Sequence, residues 1–370
     1  MNTAEFDPAA ELGLFPDKFF VCNINGFINR NNSFREICRR TMEDGEHFLD
    51  VLTRYDDITS YVIGRDDAIA GTYVSWLSPF LKANGLTDAA MNRICKESLD
   101  LMPGAKETVD YISTLLPSYI LTSEFYHAVL PTMEALDDPP MDAFYSEIDL
   151  DVWDISVKDA IKVREIEARI KALDVPEGFY ELNVPVQMDP RDIAIMELLD
   201  EVIRDPAPLA GAYSLVGHTS AFTSHKKAYK LLDLRRTLGI DLDSIFYVGS
   251  ERTDFQPMDL VRDGRGISLA FNGEDFAVRG SNVAVLSEDT TVVSLLLREF
   301  YDRGYQAVVD LANNWSREYI RNMDYADGNL VENFLGRFGD DLPVVYLLDR
   351  KNVDEVAKKS DKWRKNLLGY

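Results

Sequence analysis

The sequence predicts an α/β fold with a parallel sheet in a three-layer core, and three observations carry the prediction. Lys18-Phe19-Phe20-Val21-Cys22 is a short apolar run that empties into the polar loop Asn23-Ile24-Asn25-Gly26. Far downstream, Ser244-Ile245-Phe246-Tyr247-Val248 empties in the same way into Gly249-Ser250-Glu251-Arg252-Thr253-Asp254. Between them, a helix opened by Met102-Pro103-Gly104-Ala105 leads through Pro117 into Tyr119-Ile120-Leu121 and then Thr122-Ser123, the order of a βαβ-type half unit. Ligands in open parallel sheets bind at the carboxyl ends of neighbouring strands, so the loops after these runs are the candidate site.

In chain order, the first strand is followed from about Ser33 to Lys96 by a mainly helical pattern, with Phe48, Leu49, Val51, Leu52 and Tyr55 on a repeating face. The second strand follows, ending near residue 121. From Glu124 to about His225 the pattern is less regular. Asp137-Asp138-Pro139-Pro140 breaks it, an amphipathic helix runs from about Ser156 to Leu173, and another from about Pro190 to Ile203. That stretch is too long for a connection and predicts an accessory layer. His225 to Leu238 reads as a helix feeding the strand that ends at Val248, and Asp254 to Arg262 as another. Strands follow at Gly266 to Phe271 and Val283 to Leu286. The tail from Thr291 reads as a packed helical appendage with a solvated basic end at Lys358, Lys359, Lys362, Arg364 and Lys365.

At 370 residues the chain is long enough for two domains or one with large insertions, and its 46% apolar content is ordinary for a globular protein. The formal charge of −24 argues against nucleic acid or an anionic membrane as partner, because the overall field repels polyanions. A small phosphorylated ligand gathered by local cations stays compatible with it, as does a protein partner. Three cysteines, Cys22, Cys38 and Cys95, have no metal-ligand spacing and an odd count, which fits a reducing compartment. Met1 to Pro16 carries no long apolar stretch, and no window reaches the roughly 18 apolar residues of a bilayer span, so a cytoplasmic protein is expected.

The two loops, with the residues between them, resemble the motifs of the haloacid dehalogenase (HAD) superfamily, whose first loop is usually Asp-x-Asp-Gly and whose fourth is Gly-Asp-Ser-x-Thr-Asp. The resemblance covers roughly residues 18 to 290, and Gly266 to Gly273 looks like the strand and turn after the fourth motif in phosphoserine-phosphatase-like members. Val51-Leu52-Thr53-Arg54-Tyr55-Asp56-Asp57 also resembles a group of archaeal HAD-like proteins named alongside an energy-converting hydrogenase. The resemblance implies a core of residues 17–32, 97–125 and 224–290, a helical cap insertion at 33–96, a second insertion or accessory layer at 126–223, and a helical C-terminal extension at 291–370.

Residue by residue, Asn23 stands at the nucleophile of that family and Asn25 at its general acid/base. Thr122 or Ser123 matches the phosphate-holding hydroxyl, Lys226 or Lys227 the lysine, Ser250 the first metal-binding aspartate and Asp254 the second acid. The implied magnesium would be held by Asn23, the backbone of Ile24, Ser250 and Asp254, a weak set for a hard dication because only Asp254 is charged. A carboxamide is a poor nucleophile towards phosphorus, and Asn25 cannot exchange a proton near neutral pH, so both catalytic agents are missing. Arg252 is expected either to offer a fixed cation to a phosphate or to pair with Asp254.

Plainer roles exist for each residue. Asn23 and Asn25 also suit a strand-end turn, Thr122 and Ser123 a helix N-cap, and Lys226 and Lys227 a solvated surface. His47, His127, His218 and His225 show no metal spacing and read as structural, with His225 alone placed to touch a ligand. Three functions fit: a HAD-like homologue that binds a phosphorylated small molecule or a partner without efficient turnover, a magnesium-dependent phosphatase using altered residues such as Glu251 or Asp254 to orient water, and a non-catalytic interaction scaffold.

Overall fold

The computed structural model describes residues 16–178, 188–204, 209–323 and 328–368. The start of the chain, read above as lacking a leader, lies outside them.

Seven strands form one sheet in the order β3-β2-β1-β4-β5-β6-β7. They are β1 (Phe19–Cys22), β2 (Ser118–Phe125), β3 (Met141–Ser146), β4 (Ile245–Gly249), β5 (Ile267–Phe271), β6 (Val283–Leu286) and β7 (Val344–Leu347). All neighbours are parallel except β6 and β7. β1 is central, with Cys22 in register with Ile120 of β2 and Val248 of β4. The chain builds outward from β1 through β2 to β3, then returns to start β4 on the other side. That reversal creates the switch point at which the 23–26 and 249–254 loops meet.

The apolar runs form strands because both sheet faces are covered. Phe20, Cys22, Phe246, Val248, Leu269 and Phe271 pack into a core shared with the helices Ala105–Leu115 and Thr291–Arg303. Phe19, Val21 and Tyr247 pack on the opposite face against Leu231, Met258 and Val356. Strands buried on both sides read as continuous apolar segments, the pattern seen in β1, β4, β5 and β6.

The sheet also recruits a strand from each of two regions that the sequence reading left outside it. β3 comes from the irregular stretch after Glu124, where Met141-Asp142-Ala143-Phe144-Tyr145-Ser146 is only partly apolar because it lies at an edge. β7 comes from the tail expected to be helical, and its short Val-Val-Tyr-Leu run is flanked by helices that mask it. The two insertions are likewise not independent. Phe34, Phe48, Leu52 and Phe80 from the first share one apolar cluster with Leu150, Val163, Ile166 and Leu199 from the second, so together they pack as a single, largely helical unit, called the cap below.

The cap sits closed on the core. Arg54 of the helix Gly45–Asp57 makes a two-pronged ion pair with the buried Asp192, at 2.8 and 2.9 Å, tying the two insertions together. The π-helical turn Ile58–Val62 carries Tyr61 over the core, where its ring lies 4.3 Å from that of Phe276 and its hydroxyl donates to the Arg252 carbonyl at 2.8 Å. The backbone N–H of Ser224 donates to the Ala70 carbonyl at 2.9 Å, which brings Gly71 against Thr253 and Thr223. Gly71 has φ +98°, and a β-carbon on it would lie 3.0 Å from the Thr253 methyl and 3.2 Å from the Thr223 backbone, so a larger residue would push the cap away.

Among the described residues, no helix is long and apolar enough to cross a membrane.

Candidate functional site

Four segments converge at the carboxyl end of the sheet: the loop after β1, the end of β2, the loop after β4 and the first turn of the helix Ser224–Leu238. Thr223 caps that helix, its hydroxyl accepting from Lys226 N–H, and Lys227 therefore falls on the inward face while His225 and Lys226 fall on the exposed one. Lys227 is fully buried; Lys226 reaches back to the Ser220 hydroxyl at 3.1 Å. Of the two lysines read from sequence, Lys227 enters the site and Lys226 does not.

Asp254 is the hub. One oxygen accepts from Lys227 Nζ at 2.8 Å and the Tyr247 hydroxyl at 3.0 Å. The other accepts from Asn23 Nδ2 at 2.9 Å, Ser250 N–H at 3.0 Å and Glu251 N–H at 3.1 Å. Five donors saturate a carboxylate that offers about four lone-pair sites. Asn23 has its amide orientation set by its neighbours. Its Nδ2 faces Glu251 at 3.0 Å as well as Asp254, both of which accept, while Oδ1 accepts from Ile24 N–H at 2.8 Å. An aspartate in that pose would face two carboxylates with no donor between them.

Asn25 repeats the arrangement one step along. Its Nδ2 donates to Glu251 Oε1 at 2.9 Å and to Glu124 Oε1, and the other Glu124 oxygen meets the Ser33 hydroxyl. Asn32 Nδ2 adds a third amide on Glu251 at 3.3 Å. Glu124 is fully buried, and that burial, reinforced by the neighbouring Glu251, pushes its carboxyl up to about 8. Burial raises Glu251 too, against the pull of Lys227. Near neutral pH Glu124 holds its proton, which relieves repulsion between two acids that share one amide.

Several sequence expectations need correction. The hydroxyl pair is not at a strand end or an N-cap, because β2 runs on to Phe125 through a register shift after Leu121. Thr122 Oγ1 accepts from Glu124 N–H at 3.2 Å, and Ser123 Oγ lies between the Phe222 carbonyl at 2.9 Å and the Thr253 hydroxyl at 3.1 Å. Arg252 does not pair with Asp254. Its guanidinium bridges Asp57 of the cap and Glu274, the latter at 3.1 Å. The Ile24 carbonyl is taken by the N–H groups of Ile28 and Asn29 at 2.8 and 2.9 Å. The carbonyl facing Ser250 is that of Asn25, which accepts from the Ser250 hydroxyl.

These contacts do not fit a magnesium ion. Asn23 turns N–H groups inward, Ile24 has no free carbonyl, Ser250 donates, and Asp254 is saturated. Among the described residues, no group of three or more His, Cys, Asp or Glu side chains is arranged to hold a metal. The histidines are elsewhere: His47 meets the Leu173 carbonyl at 2.8 Å, His218 stacks on Trp153 at 4.0 Å, and His127 is buried with Nε2 3.2 Å from Asp88.

Sequence reasoning missed Glu124, Asn32, Ser33, Tyr247 and Asp57. Glu124 had a signal, since it directly follows the hydroxyl pair on the same strand. The others are joined to the site only by folding.

No protein-family model matches the chain, and no curated protein is a significant match. Solved structures do resemble it. Gene product AF1437 from Archaeoglobus fulgidus is 18% identical and superposes over 95% of this chain and 96% of its own, with a TM-score of 0.73. The two chains share a fold. An apo phosphoserine phosphatase is 15% identical over 78% of this chain and 99% of its own, with a TM-score of 0.44. A HAD-family hydrolase from Salmonella enterica serovar Typhi is 12% identical over 74% of this chain and 75% of its own, with a TM-score of 0.40. The likeness to the Archaeoglobus protein, spanning nearly both chains, is one of fold, and it takes in the cap and C-terminal extension.

Proposed function

We propose that this chain is a HAD-fold protein without phosphoryl-transfer activity, in which the ancestral catalytic crevice has become a closed polar core and function resides in binding. The observation that carries this reading is the Asn23 amide, which points its two hydrogens at Glu251 and Asp254. An attacking carboxylate in such a crevice needs a cation beside it to offset the charge of both phosphate and acid. Here the amide itself bridges the acids, so nucleophile and cation are replaced together. Asn25 likewise joins Glu124 to Glu251 in place of a proton-shuttling acid.

This reading moves the binding surface. Lys227, Ser123 and Thr253 bond one another, Asp254 or backbone, so a phosphorylated small molecule would have to displace these contacts to reach the floor. A ligand or partner is better served by the cleft of about 590 Å³ between cap and core, whose rim carries Arg35, Arg54, Arg191 and Arg252 among acids. The kinship with the archaeal HAD-like group named alongside an energy-converting hydrogenase is a narrower proposal, resting on Val51–Asp57. Two of those residues, Arg54 and Asp57, make the cap's internal and core-facing ion pairs.

The test is restoration. Asn23→Asp, Asn25→Asp and Ser250→Asp combined rebuild the acid set, and magnesium is expected to raise the melting temperature of that variant while leaving the unaltered chain unshifted. An equal magnesium shift in the unaltered chain would refute the reading. A second reading, hydrolysis by water at altered residues, is favoured by one feature: Glu124 is a buried acid holding a proton near neutral pH, which suits it to protonate a leaving oxygen. Turnover of an aryl phosphate that is lost in Glu124→Gln would decide for it.

A further inference from the structure

The solvated basic tail expected from sequence is not what Arg364 forms. The C-terminal helix Val353–Leu368 lies across the loop after β5, where Ser360 Oγ donates to the Gly273 carbonyl at 2.6 Å and the Arg30 guanidinium donates to the Leu367 carbonyl at 3.0 Å. From this helix Arg364, only 4% exposed, turns inward and donates to the Asn272 carbonyl at 3.2 Å. Its guanidinium sits against the first loop. A β-carbon on Gly26 would lie 2.5 Å from Arg364 Nη1 and 2.5 Å from Ser250 Oγ, and Gly26 itself has φ +76°. Only glycine meets both demands.

Arg364 is also the inner end of a line of alternating charge. Its Nε lies 3.8 Å from one oxygen of Glu274, and the other oxygen of Glu274 accepts from Arg252 Nε at 3.1 Å. Arg252 in turn pairs with Asp57 of the cap. The four residues come from four places: the cap helix, the loop after β4, the loop after β5 and the C-terminal helix. All four line the cleft between cap and core, while Gly26 and Ser250, just behind Arg364, belong to the crevice floor. Burial pulls the Glu274 carboxyl up, but the two arginines together more than offset it and hold Glu274 lower than an ordinary glutamate, Arg252 more strongly than Arg364.

We propose that Asp57, Arg252, Glu274 and Arg364 form an ion-paired gate between the open cleft and the buried crevice floor, with the C-terminal helix as the strap that carries its inner bolt. The inference does not depend on whether the floor retains chemistry. In either case, access to Lys227 and Glu251 requires this line to part.

The gate has a titratable end. Asp57 faces Arg252, Glu274 and Asp275 of the core, with Arg54, Asp56 and Tyr61 beside it on the cap, and burial outweighs Arg252 to push its carboxyl up to about 7. The closed gate therefore binds the Asp57 proton more tightly than an open, hydrated one. By linkage, raising the pH from about 6 to about 8 favours opening.

Hydrogen exchange on the full chain tests this. With intrinsic rates corrected, amides at 24–29, 249–253 and 272–275 are expected to open more readily as pH rises, and Asp57→Asn is expected to abolish that response. Arg364→Gln should speed exchange in the same loops by about tenfold, with Arg364→Lys in between, while β6 stays protected. If Arg364→Gln does not fold, Ser360→Ala loosens the strap alone and should show the same pattern more weakly. Loops indifferent to pH in the unaltered chain, or acceleration spread evenly through β6, would overturn the gate. Neither result touches the magnesium test above.

Discussion

Under the function proposed above, Asn23 is the residue at which the crevice departs from a phosphate-transferring one. Replacing it by aspartate leaves Asp254 and Glu251 facing a third acid in a site with no exposure at Asn23, Ser250 or Asp254. Asn23→Asp is expected to cost about 3 kcal/mol or more in urea denaturation, because an unpaired buried charge is costly. A neutral effect would mean that the site hydrates or admits a cation. Lys227→Met removes the lysine paired with the buried Asp254 and should cost about 3–5 kcal/mol, whereas Lys226→Met should stay within about 0.5 kcal/mol. Sequence alone could not choose between these lysines, since both lie in the first helical turn. The choice is made by Thr223, whose cap fixes the phase of the helix. Asn23, Asn25, Ser250 and Asp254 were legible because they follow strands directly. Glu251 was legible only as a potential base, and its bonds to three asparagine amides, one of them from Asn32, emerge only when the cap loop folds over.

The strands were legible wherever both sheet faces bury them, and less so at the edges. β1, β4, β5 and β6 end where their apolar runs end, whereas β2 extends past its apolar run through Ser123 and Glu124, polar residues that find partners inside. β3 and β7 were hidden because edge strands carry weaker apolar patterns. The two insertions looked separate because the core segment 97–125 divides them in sequence but not in space; Arg54 and Asp192 are 138 positions apart. The clasp between cap and core can be divided experimentally. Tyr61→Phe removes the hydroxyl's bond to the Arg252 carbonyl, with its longer one to the Ser224 hydroxyl, and should cost about 1 kcal/mol, while Tyr61→Ala also removes the ring's contact with Phe255 and Phe276 and should cost about 3 kcal/mol. Equal losses in the two variants would show that the aromatic contact contributes nothing to closure.

Across the whole molecule, the buried acids should leave a signature in the pH dependence of stability. Burial pushes Asp56 and Glu124 up to about 8 and Asp57 up to about 7. The folded chain thus keeps protons that the unfolded chain has already released above about pH 5, so stability falls as pH rises towards the folded values. Below about pH 6.5 the buried His127, held neutral by burial, works in the opposite direction. The melting temperature is therefore expected to fall between about pH 7 and about pH 8.5, and Glu124→Gln should flatten that slope and stabilise the protein most at the upper end. A melting temperature that rises over this window would show that Glu124 and Asp56 are ionised in the fold. Net charge and composition foretold none of this, because it depends on which few of the 63 acids fold inward. The most direct test of the central claim is turnover of an aryl phosphate by the unaltered chain with magnesium. The account expects no release above that of an Asn23→Ala control; magnesium-dependent release that a chelator stops and Asn23→Ala abolishes would contradict it.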